Sequence, residues 1–364
     1  MIAMGRRRTD YQPPFPYFGG KSAVADIIWE ALGDPVNYVE PFFGSGAALF
    51  LRPGGAGRVE TVNDADGMIA NFWNALKYDA DAVAEYSDNP VNECLLHARH
   101  LWLIGQRERI TERLMGDPEF FDTKVAGWWC WGLCCWIGSG WCSGKGPWIS
   151  KDGVLTRQDD DEVGDGVKRQ RPHLGSAGRG VNRKIPHLGS AGQGVKRQRP
   201  HLGNAGQGVN RKTGSGDRLT YLKGYLGEFS NRLQDVRVCC GDWSRVCGSS
   251  VTFKHGLTGV LLDPPYPDSA NRDMRCYAVD CGQVAHDALA WAVEMGKRPD
   301  MRIVYCGYEG SQEIPADWRE FAWKTPGGYA LQGDGDTQGR MNRGRERIWF
   351  SPACLKPAQR ELLF

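Results

Sequence analysis

Residues Asp263, Pro264, Pro265 and Tyr266 carry groups that can hold an amino group attached to a flat ring. The Asp263 carboxylate and the Pro264 carbonyl can each accept a hydrogen bond from an exocyclic amine, and the Tyr266 ring can stack on the base. The alternative is an acidic turn that simply ends a strand. The four residues therefore form a candidate catalytic set, and the surrounding segments bear on the choice.

The apolar run at residues 260–262 predicts the element that positions this set. Val-Leu-Leu followed by two prolines is typical of a buried parallel strand, because proline cannot continue the ladder. In open α/β sheets, ligands bind beyond the carboxyl ends of the strands. The sequence therefore predicts an α/β fold with its site where this strand ends.

A second candidate segment runs from Glu40 through Phe42 to a glycine turn at Gly44 and Gly46. It lies between a predicted strand and a predicted helix at 47–51, as in the first unit of a nucleotide-binding fold. The signature of a phosphate-binding loop is absent, which argues against a nucleoside triphosphate. The glycines would instead let the backbone approach a cofactor that has no pyrophosphate.

Two further carboxylates follow predicted strands. Asp64 comes 20 residues after Gly44 and is placed to accept the two hydroxyls of a ribose; it could also cap a helix at 65–78, and the two roles are compatible. Asp242 follows a predicted strand at 236–239. With the ring of Trp243 beside it, it suits the adenine part of a cofactor.

The segment from Tyr17 to Lys21 leads into a predicted helix with Ser22 as its N-cap. Backbone amides at such a terminus favour an anion, for example the carboxylate of an amino-acid group. The alternative is an ordinary helix start. Periodicity also predicts helices at 92–115, 217–229 and 283–294, and strands at 301–305 and 348–350.

Six tryptophans lie within 21 residues, at positions 128–148, among four of the 12 cysteines. They indicate either an aromatic core or a surface that stacks on bases. Because the cysteines lack paired C-x-x-C spacing and a nearby histidine, we predict reduced thiols and no metal site. Reduced thiols, no membrane span and no signal peptide lead us to expect a cytoplasmic protein.

Residues 167–212 form a repeat of 14 residues in which Pro-His-Leu-Gly recurs three times. The segment has 11 basic and no acidic residues, while the rest of the chain has 34 basic against 43 acidic residues. Such a glycine-rich unit is too short for a common solenoid repeat, so we predict a mobile basic loop or a small ribbon. His173, His187 and His201 belong to the repeat pattern and are not predicted to bind metal.

Four blocks in this order resemble the Dam-like class of DNA adenine methyltransferases, including those carried by phages. The blocks are Tyr17-Phe18-Gly19-Gly20-Lys21, then Glu40-Pro41-Phe42-Phe43-Gly44-Ser45-Gly46, then Asn63-Asp64, and finally Asp242-Trp243 with Asp263-Pro264-Pro265-Tyr266. They cover residues 11–80 and 217–350. The resemblance implies a Rossmann-like S-adenosylmethionine-dependent methyltransferase fold with an inserted target-recognition region.

The same resemblance implies roles for the candidate residues. Tyr17, Lys21 and the glycine turn would hold the methionine part of S-adenosyl-L-methionine. Glu40 and Phe42 belong to the same cofactor-binding set, with Asp64 at the ribose and Asp242 and Trp243 at the adenine. Double-stranded DNA would be the partner, its target adenine flipped out to residues 263–266 and methylated on the 6-amino group. No membrane or obligate protein partner is expected, and such enzymes often serve in restriction-modification.

The resemblance divides the chain into four parts. Residues 11–90 and 217–364 would form the catalytic domain, residues 91–166 a helical, Trp- and Cys-rich recognition region, and residues 167–212 the basic repeats. The middle parts depart from the family's recognition segment, so the DNA sequence that is preferred stays open. Methylation of the 4-amino group of cytosine is one alternative, and a catalytically silent DNA-binding protein is another.

Overall fold

The computed structural model describes residues 13–17, 19–54, 58–136, 141–143, 148–151, 154–157, 218–265, 283–323 and 344–356. The predictions for Tyr266 and for the repeats at 167–212 lie outside these ranges. Within these ranges, seven strands form the main sheet, and two more form a separate hairpin. The sheet strands are β1 (Asn37–Glu40), β2 (Val59–Asp64), β5 (Val236–Cys240), β6 (Thr258–Leu262), β7 (Met301–Tyr308), β8 (Arg319–Ala322) and β9 (Glu346–Phe350); the hairpin pairs β3 (Trp148–Lys151) with β4 (Val154–Arg157).

The main sheet has the order β5-β2-β1-β6-β7-β9-β8. The first five of these strands are parallel, whereas β9 runs antiparallel to both β7 and β8. The parallel strands thus have the 3-2-1-4-5 order of a doubly wound fold, in which the chain winds outward in both directions from the central pair, β1 and β6. The predicted α/β class is confirmed, and the sheet is compatible with a Rossmann-like fold.

Eight helices occur in the described ranges. They are α1 (Ala25–Leu32), α2 (Ala47–Phe50), α3 (Gly67–Tyr78), α4 (Ala80–Ser87), α5 (Glu93–Gly116), α6 (Thr123–Cys135), α7 (Arg218–Leu233) and α8 (Val284–Met295). Of these, α6 packs on α3 and α4, and α5 packs on α3 and α6. The Trp-rich segment is therefore built onto the helical layer of the sheet.

Both faces of the sheet are covered, and the strands alternate between two hydrophobic clusters. In β6, Leu261 belongs to the cluster that includes α1, α3, α6 and α7, whereas Val260 and Leu262 belong to the cluster on the α8 side. In β7, Val304 and Ile303 divide in the same way. Burial on both faces explains why these strands are continuous apolar runs.

Two capping predictions are wrong. Ser22 lies inside a 3-10 turn, Lys21–Ala23, and α1 begins only at Ala25, after Val24, which has no polar side-chain atom. The N-cap of α3 is Asp66, whose Oδ1 accepts from the backbone N–H of Met68 at 2.9 Å. Asp64 cannot serve there because β2 extends through it and α3 begins three residues later.

Candidate active site

Four acidic residues lie at the carboxyl ends of adjacent parallel strands. Glu40 is the last residue of β1, Asp64 the last of β2, and Asp263 directly follows β6. Asp242 follows β5 by two residues. Because β1 and β6 are the central pair from which the sheet winds outward, Glu40 and Asp263 flank the position where ligands of doubly wound sheets bind.

Lys21 and Asp263 form an ion pair at this position, with 2.6 Å between Nζ and Oδ2. Lys21 is buried, and its ammonium also donates to the Gly19 carbonyl at 2.8 Å. Burial disfavours the charged ammonium, but the carboxylate of Asp263, together with Cys306 and Glu346, outweighs burial and raises the pKa of Lys21. The structure thus brings two predicted site residues together, although the resemblance implies a cofactor contact for Lys21.

Burial and Lys21 shift the pKa of Asp263 in opposite directions. Burial raises the pKa of Asp263, and the charge and hydrogen bond of Lys21 lower it part of the way back. Lys21 is therefore the group that favours the anionic form of Asp263. Pro264 beside it is buried and Pro265 half-buried, whereas the predicted stacking residue Tyr266 lies outside the described residues.

Glu40 is a buried carboxyl at the same edge. Its Oε2 accepts a hydrogen bond from the Tyr38 hydroxyl at 2.9 Å. Burial raises the pKa of Glu40 to about 8, and Asp263 adds to the rise against the bond from Tyr38. At pH 7 this carboxyl is largely protonated, and a cation placed beside it would favour its ionisation.

The glycine turn after β1 is held by three groups. Gly44 has a φ of +48°, and a Cβ atom there would lie 2.4 Å from the Tyr17 ring, so only glycine lets the ring lie against the turn. The Gly44 N–H donates to Asp64 Oδ2, and the Gly44 carbonyl accepts from Trp73 Nε1, each at 2.9 Å. Gly46 also has a positive φ, of +71°.

Asp64 uses both carboxyl oxygens to order the backbone. Oδ2 accepts from the Gly44 N–H, and Oδ1 accepts from the Asp66 N–H at 2.9 Å. Burial and the neighbouring Asp66 raise the pKa of Asp64 to about 7, against these two hydrogen bonds and the charge of Arg107. Each oxygen keeps a second lone pair, so an additional ribose contact is compatible with this geometry.

The predicted adenine-binding residues differ in exposure. The rings of Phe42 and Trp243 stack with centroids 6.2 Å apart and planes at 27°. Trp243 is buried in the cluster on the α8 side of the sheet, whereas Phe42 is half-buried. Asp242 is exposed and caps a 3-10 turn by accepting from the Ser244 N–H at 2.9 Å.

Two residues near the site were not singled out by sequence, and the contacts of a third, Asn63 of the Asn63-Asp64 block, were not predicted. Asn63 is buried, and its Nδ2 donates to the carbonyls of Pro41 (3.1 Å) and Gly241 (3.0 Å), which joins the loops after β1 and β5. Glu346 and Cys306 are buried and both act electrostatically on Lys21. Glu346 lies between two arginines in sequence, two residues before the predicted strand at 348–350, and no motif includes it.

The tryptophan cluster is largely internal. Trp129, Trp131, Trp136 and Trp141 are buried, and Phe15 packs on Trp129 with centroids 4.9 Å apart. Trp128 is half-buried beneath the cationic groups of Arg99 and Lys124, which lie 4.6 and 4.5 Å from its ring centroid. For these residues, burial favours the aromatic-core interpretation over the base-stacking surface.

Within the described ranges, no group of three or more His, Cys, Asp or Glu residues is arranged to hold a metal ion. No helix in the same ranges combines the length and the apolar character needed to cross a bilayer. A scan against known protein families and a search of curated proteins both found no match.

Proposed function

We propose that this protein is an S-adenosyl-L-methionine-dependent DNA methyltransferase that modifies the 6-amino group of adenine in double-stranded DNA. The observation that carries the proposal is the Lys21–Asp263 pair at the centre of the sheet. Two residues 242 positions apart, each from a separate motif of the resemblance, meet within 2.6 Å at the edge where doubly wound sheets bind ligands.

The residues at this edge suit a cationic nucleoside better than a nucleotide. Among the described residues of this edge, acidic side chains predominate, with Glu40, Asp64 and Asp263 at successive strand ends. A cation beside these carboxyl groups would favour their ionisation, whereas a pyrophosphate would oppose it. S-adenosylmethionine supplies an electrophilic methyl group on its sulfonium centre and carries an ammonium group. In the proposal, Glu40 accepts from that ammonium, Asp64 from the ribose, and Asp242 and Trp243 contact the adenine.

The proposed catalysis consists mainly of positioning. Asp263 and the Pro264 carbonyl each accept a hydrogen bond from the target amino group. The nitrogen lone pair is then free to attack the methyl group of the sulfonium. A strong base is unnecessary, because the proton can leave once the nitrogen has become cationic. Lys21 contributes by favouring the anionic form of Asp263, which makes that carboxyl a better acceptor.

The DNA partner rests on the resemblance and on the distribution of charge. The basic repeats at 167–212 contrast with a remainder that carries 34 basic and 43 acidic residues. A segment of this kind suits a polyanion, because it contacts phosphates whatever the base sequence. In the proposal, residues 91–166 are the region that recognises the DNA sequence around the target.

The direct test is mass analysis of nucleosides from DNA incubated with the protein and methyl-labelled cofactor. We expect labelled N6-methyladenine with the wild type, and a loss of at least about 100-fold for Asp263→Ala, as for removal of a positioned catalytic group. Asp317→Ala is the matched control, because Asp317 is exposed and far along the chain from the site motifs. Labelled N4-methylcytosine would assign the other base, and no labelled nucleoside despite bound cofactor would favour a silent DNA-binding protein.

A further inference from the structure

Helix α5 approaches the start of α3 closely, beside the acidic end of β2. A Cβ atom on Gly67, the first residue of α3, would lie 2.2 Å from Thr111 Oγ1 and 3.0 Å from Thr111 Cα on α5. The two backbones are therefore almost in contact. A side chain one helical turn before Thr111 can reach the N-cap of α3.

Arg107 occupies that place and makes three hydrogen bonds. Nη1 and Nη2 donate to the two carboxyl oxygens of Asp66, at 2.7 and 3.2 Å, and Nε donates to the Cys142 carbonyl at 2.8 Å. The pair is mostly buried, with side chains 19% and 13% exposed. Such a bidentate contact fixes the orientation of both the Arg107 guanidinium and the Asp66 carboxylate.

The contact continues to the glycine turn. Asp66 donates its backbone N–H to Asp64 Oδ1, and Asp64 Oδ2 accepts from the Gly44 N–H, each at 2.9 Å. A chain of hydrogen bonds thus runs from the Cys142 segment through Arg107 to the loop after β1. None of the motifs behind the proposed function includes Arg107.

We propose that Arg107 is a positioning residue for Asp64: by pairing with Asp66, it offsets the repulsion between two neighbouring carboxylates and keeps Asp64 able to accept from the cofactor. This inference rests on the proposed function for the identity of the ligand. The effect of Arg107 on the pKa of Asp64 does not depend on a ligand, so it can be measured in the protein without one.

The groups that face Asp64 come from three elements. Asp66 at the start of α3 raises the pKa of Asp64, and Arg107 on α5 lowers it. From β5, Cys240 contributes a thiol whose pKa is raised to about 12 by burial and by Asp64, so it is uncharged at neutral pH. Asp66 and Arg107 are therefore the charged neighbours that can move the titration of Asp64.

The expected effects have opposite signs for the two partners. Arg107→Gln removes the positive charge that offsets the Asp66 carboxylate, so the pKa of Asp64 should rise by about 1 to 2. Asp66→Asn removes the repelling charge and, because Asn is also a good N-cap, preserves the start of α3; the pKa should fall. The double variant should return close to wild type, and Arg107→Lys, which keeps the charge, should shift the pKa less than Arg107→Gln.

The experiment measures two properties of these variants between pH 5.5 and 9. The Asp64 titration is followed by carbon NMR of protein with labelled aspartate and is assigned with Asp64→Asn. S-adenosylhomocysteine affinity is followed by calorimetry. For Arg107→Gln we expect about 10-fold weaker binding at pH 7 that recovers towards pH 9, because only the anionic carboxyl accepts both ribose hydroxyls. Arg109→Gln is the control, since Arg109 also lies on α5 near an aspartate, Asp122 at 3.5 Å.

The possible outcomes separate the two proposals. An Asp64 titration that is the same in Arg107→Gln and wild type would overturn the inference, as would a loss of affinity that is equal at every pH and not restored by Asp66→Asn. Wild-type protein that binds no S-adenosylhomocysteine at any pH, but shows the expected titration shifts, would refute the proposed cofactor and support the electrostatic link.

Discussion

The Lys21–Asp263 pair sets the charge of the proposed catalytic carboxylate. Asp263 is held in a site where burial favours its neutral form, and Lys21 provides the opposing charge at 2.6 Å. The pair is also a structural contact, with Lys21 buried and Asp263 half-buried. Both consequences should appear when the ammonium alone is removed.

Lys21→Met keeps the aliphatic stem and removes the charge. The pKa of Asp263 should rise, so methyl transfer at pH 7 should fall by at least about 10-fold and recover as the pH increases. Stability should fall by about 1 to 3 kcal/mol, less than for a fully buried ion pair, because Asp263 is half-buried. Initial rates across pH and urea unfolding measure the two effects.

Lys297→Met is the control, because Lys297 pairs with Glu294 on the surface. A Lys21→Met protein with the wild-type pH profile would show that Lys21 does not act through Asp263.

Glu40 gives the cofactor-free protein a characteristic dependence on pH. Its pKa is about 8 in the folded chain against an ordinary 4.5, so the folded state binds this proton more tightly than the unfolded state. That stabilisation is complete below about pH 4.5 and is lost as the pH rises through 8. Asp64 acts in the same direction, with a pKa of about 7.

Glu40→Gln should remove its share of this dependence. Between pH 5 and 8, the fall in the free energy of unfolding should be smaller than in wild type by about 2 to 4 kcal/mol. Urea unfolding without cofactor at several pH values measures it, with the exposed Glu313→Gln as control. Parallel pH curves for Glu40→Gln and wild type would mean that Glu40 has an ordinary pKa.

At the scale of elements, the strands of the site were predictable because they are buried on both faces. The runs that end at Glu40, Asp64 and Asp263 all appear as strands. The apolar signal is continuous in β6, whereas β1 and β2 contain buried polar residues between their apolar ones. The short edge strand β8 was missed: its side chains alternate between half-buried and exposed, and the segment lacks an apolar run. Helix α4 was missed because its eight residues are mostly alanine and polar residues.

The contacts within the site were less predictable than its strands. Lys21 and Asp263 are far apart in sequence, and only the folded chain brings the 3-10 turn at Lys21–Ala23 against the end of β6. Asn63 was included in a motif, but its bonds to Pro41 and Gly241 depend on three neighbouring strand ends. The exact helix starts at α1 and α3 depend on local turns that a single polar residue does not reveal.

A buried ionic cluster joins β2 to α7 and to the end of α2. Glu60 accepts from Arg52 Nη1 at 2.8 Å and from both terminal nitrogens of Arg232, at 2.6 and 2.7 Å. Arg52 and Glu60 are buried, and the Arg52 guanidinium lies over the Trp29 ring at 5.1 Å from its centroid. Glu60 is the acidic member shared by both arginines.

Glu60→Ala should therefore destabilise the fold by about 3 to 5 kcal/mol, because it removes the buried counter-charge of both arginines and leaves Arg52 with the exposed Asp34 at 3.2 Å. The cost is measured by urea unfolding at pH 7. The matched control is Asp300→Ala, which breaks the exposed Arg298–Asp300 pair and should change stability little. Equal costs for the two variants would show that the cluster is no more important than a surface pair.

At the scale of the whole molecule, charge is unevenly distributed. Residues 167–212 have 11 basic and no acidic residues, against a net charge of about −9 in the rest of the chain. Their structure lies outside the described residues, so their role stays a prediction from sequence. If they meet DNA phosphates, their contribution should be the same on any base sequence.

Deletion of residues 167–212 tests this role. DNA affinity should fall, and the slope of log affinity against log salt should become shallower by about 0.9 for each phosphate that the repeats no longer neutralise. Cofactor affinity should change little, because Asp64 and Asp242 lie outside the deletion. Fluorescence anisotropy with two unrelated duplexes measures DNA affinity and its salt slope. Unchanged affinity and slope would make the segment a neutral spacer, and weaker binding to one duplex alone would make it a reader of sequence.

The central claim is that the carboxyl edge between β1 and β6 holds both the cofactor and the target amino group. A crystal structure of the protein with S-adenosylhomocysteine and a DNA duplex tests it most directly. We predict the cofactor product against the glycine turn, within hydrogen-bond distance of Glu40 and Asp64, and an extruded adenine whose amino group contacts Asp263. A ligand bound elsewhere, or an extruded base that does not reach Asp263, would contradict the account.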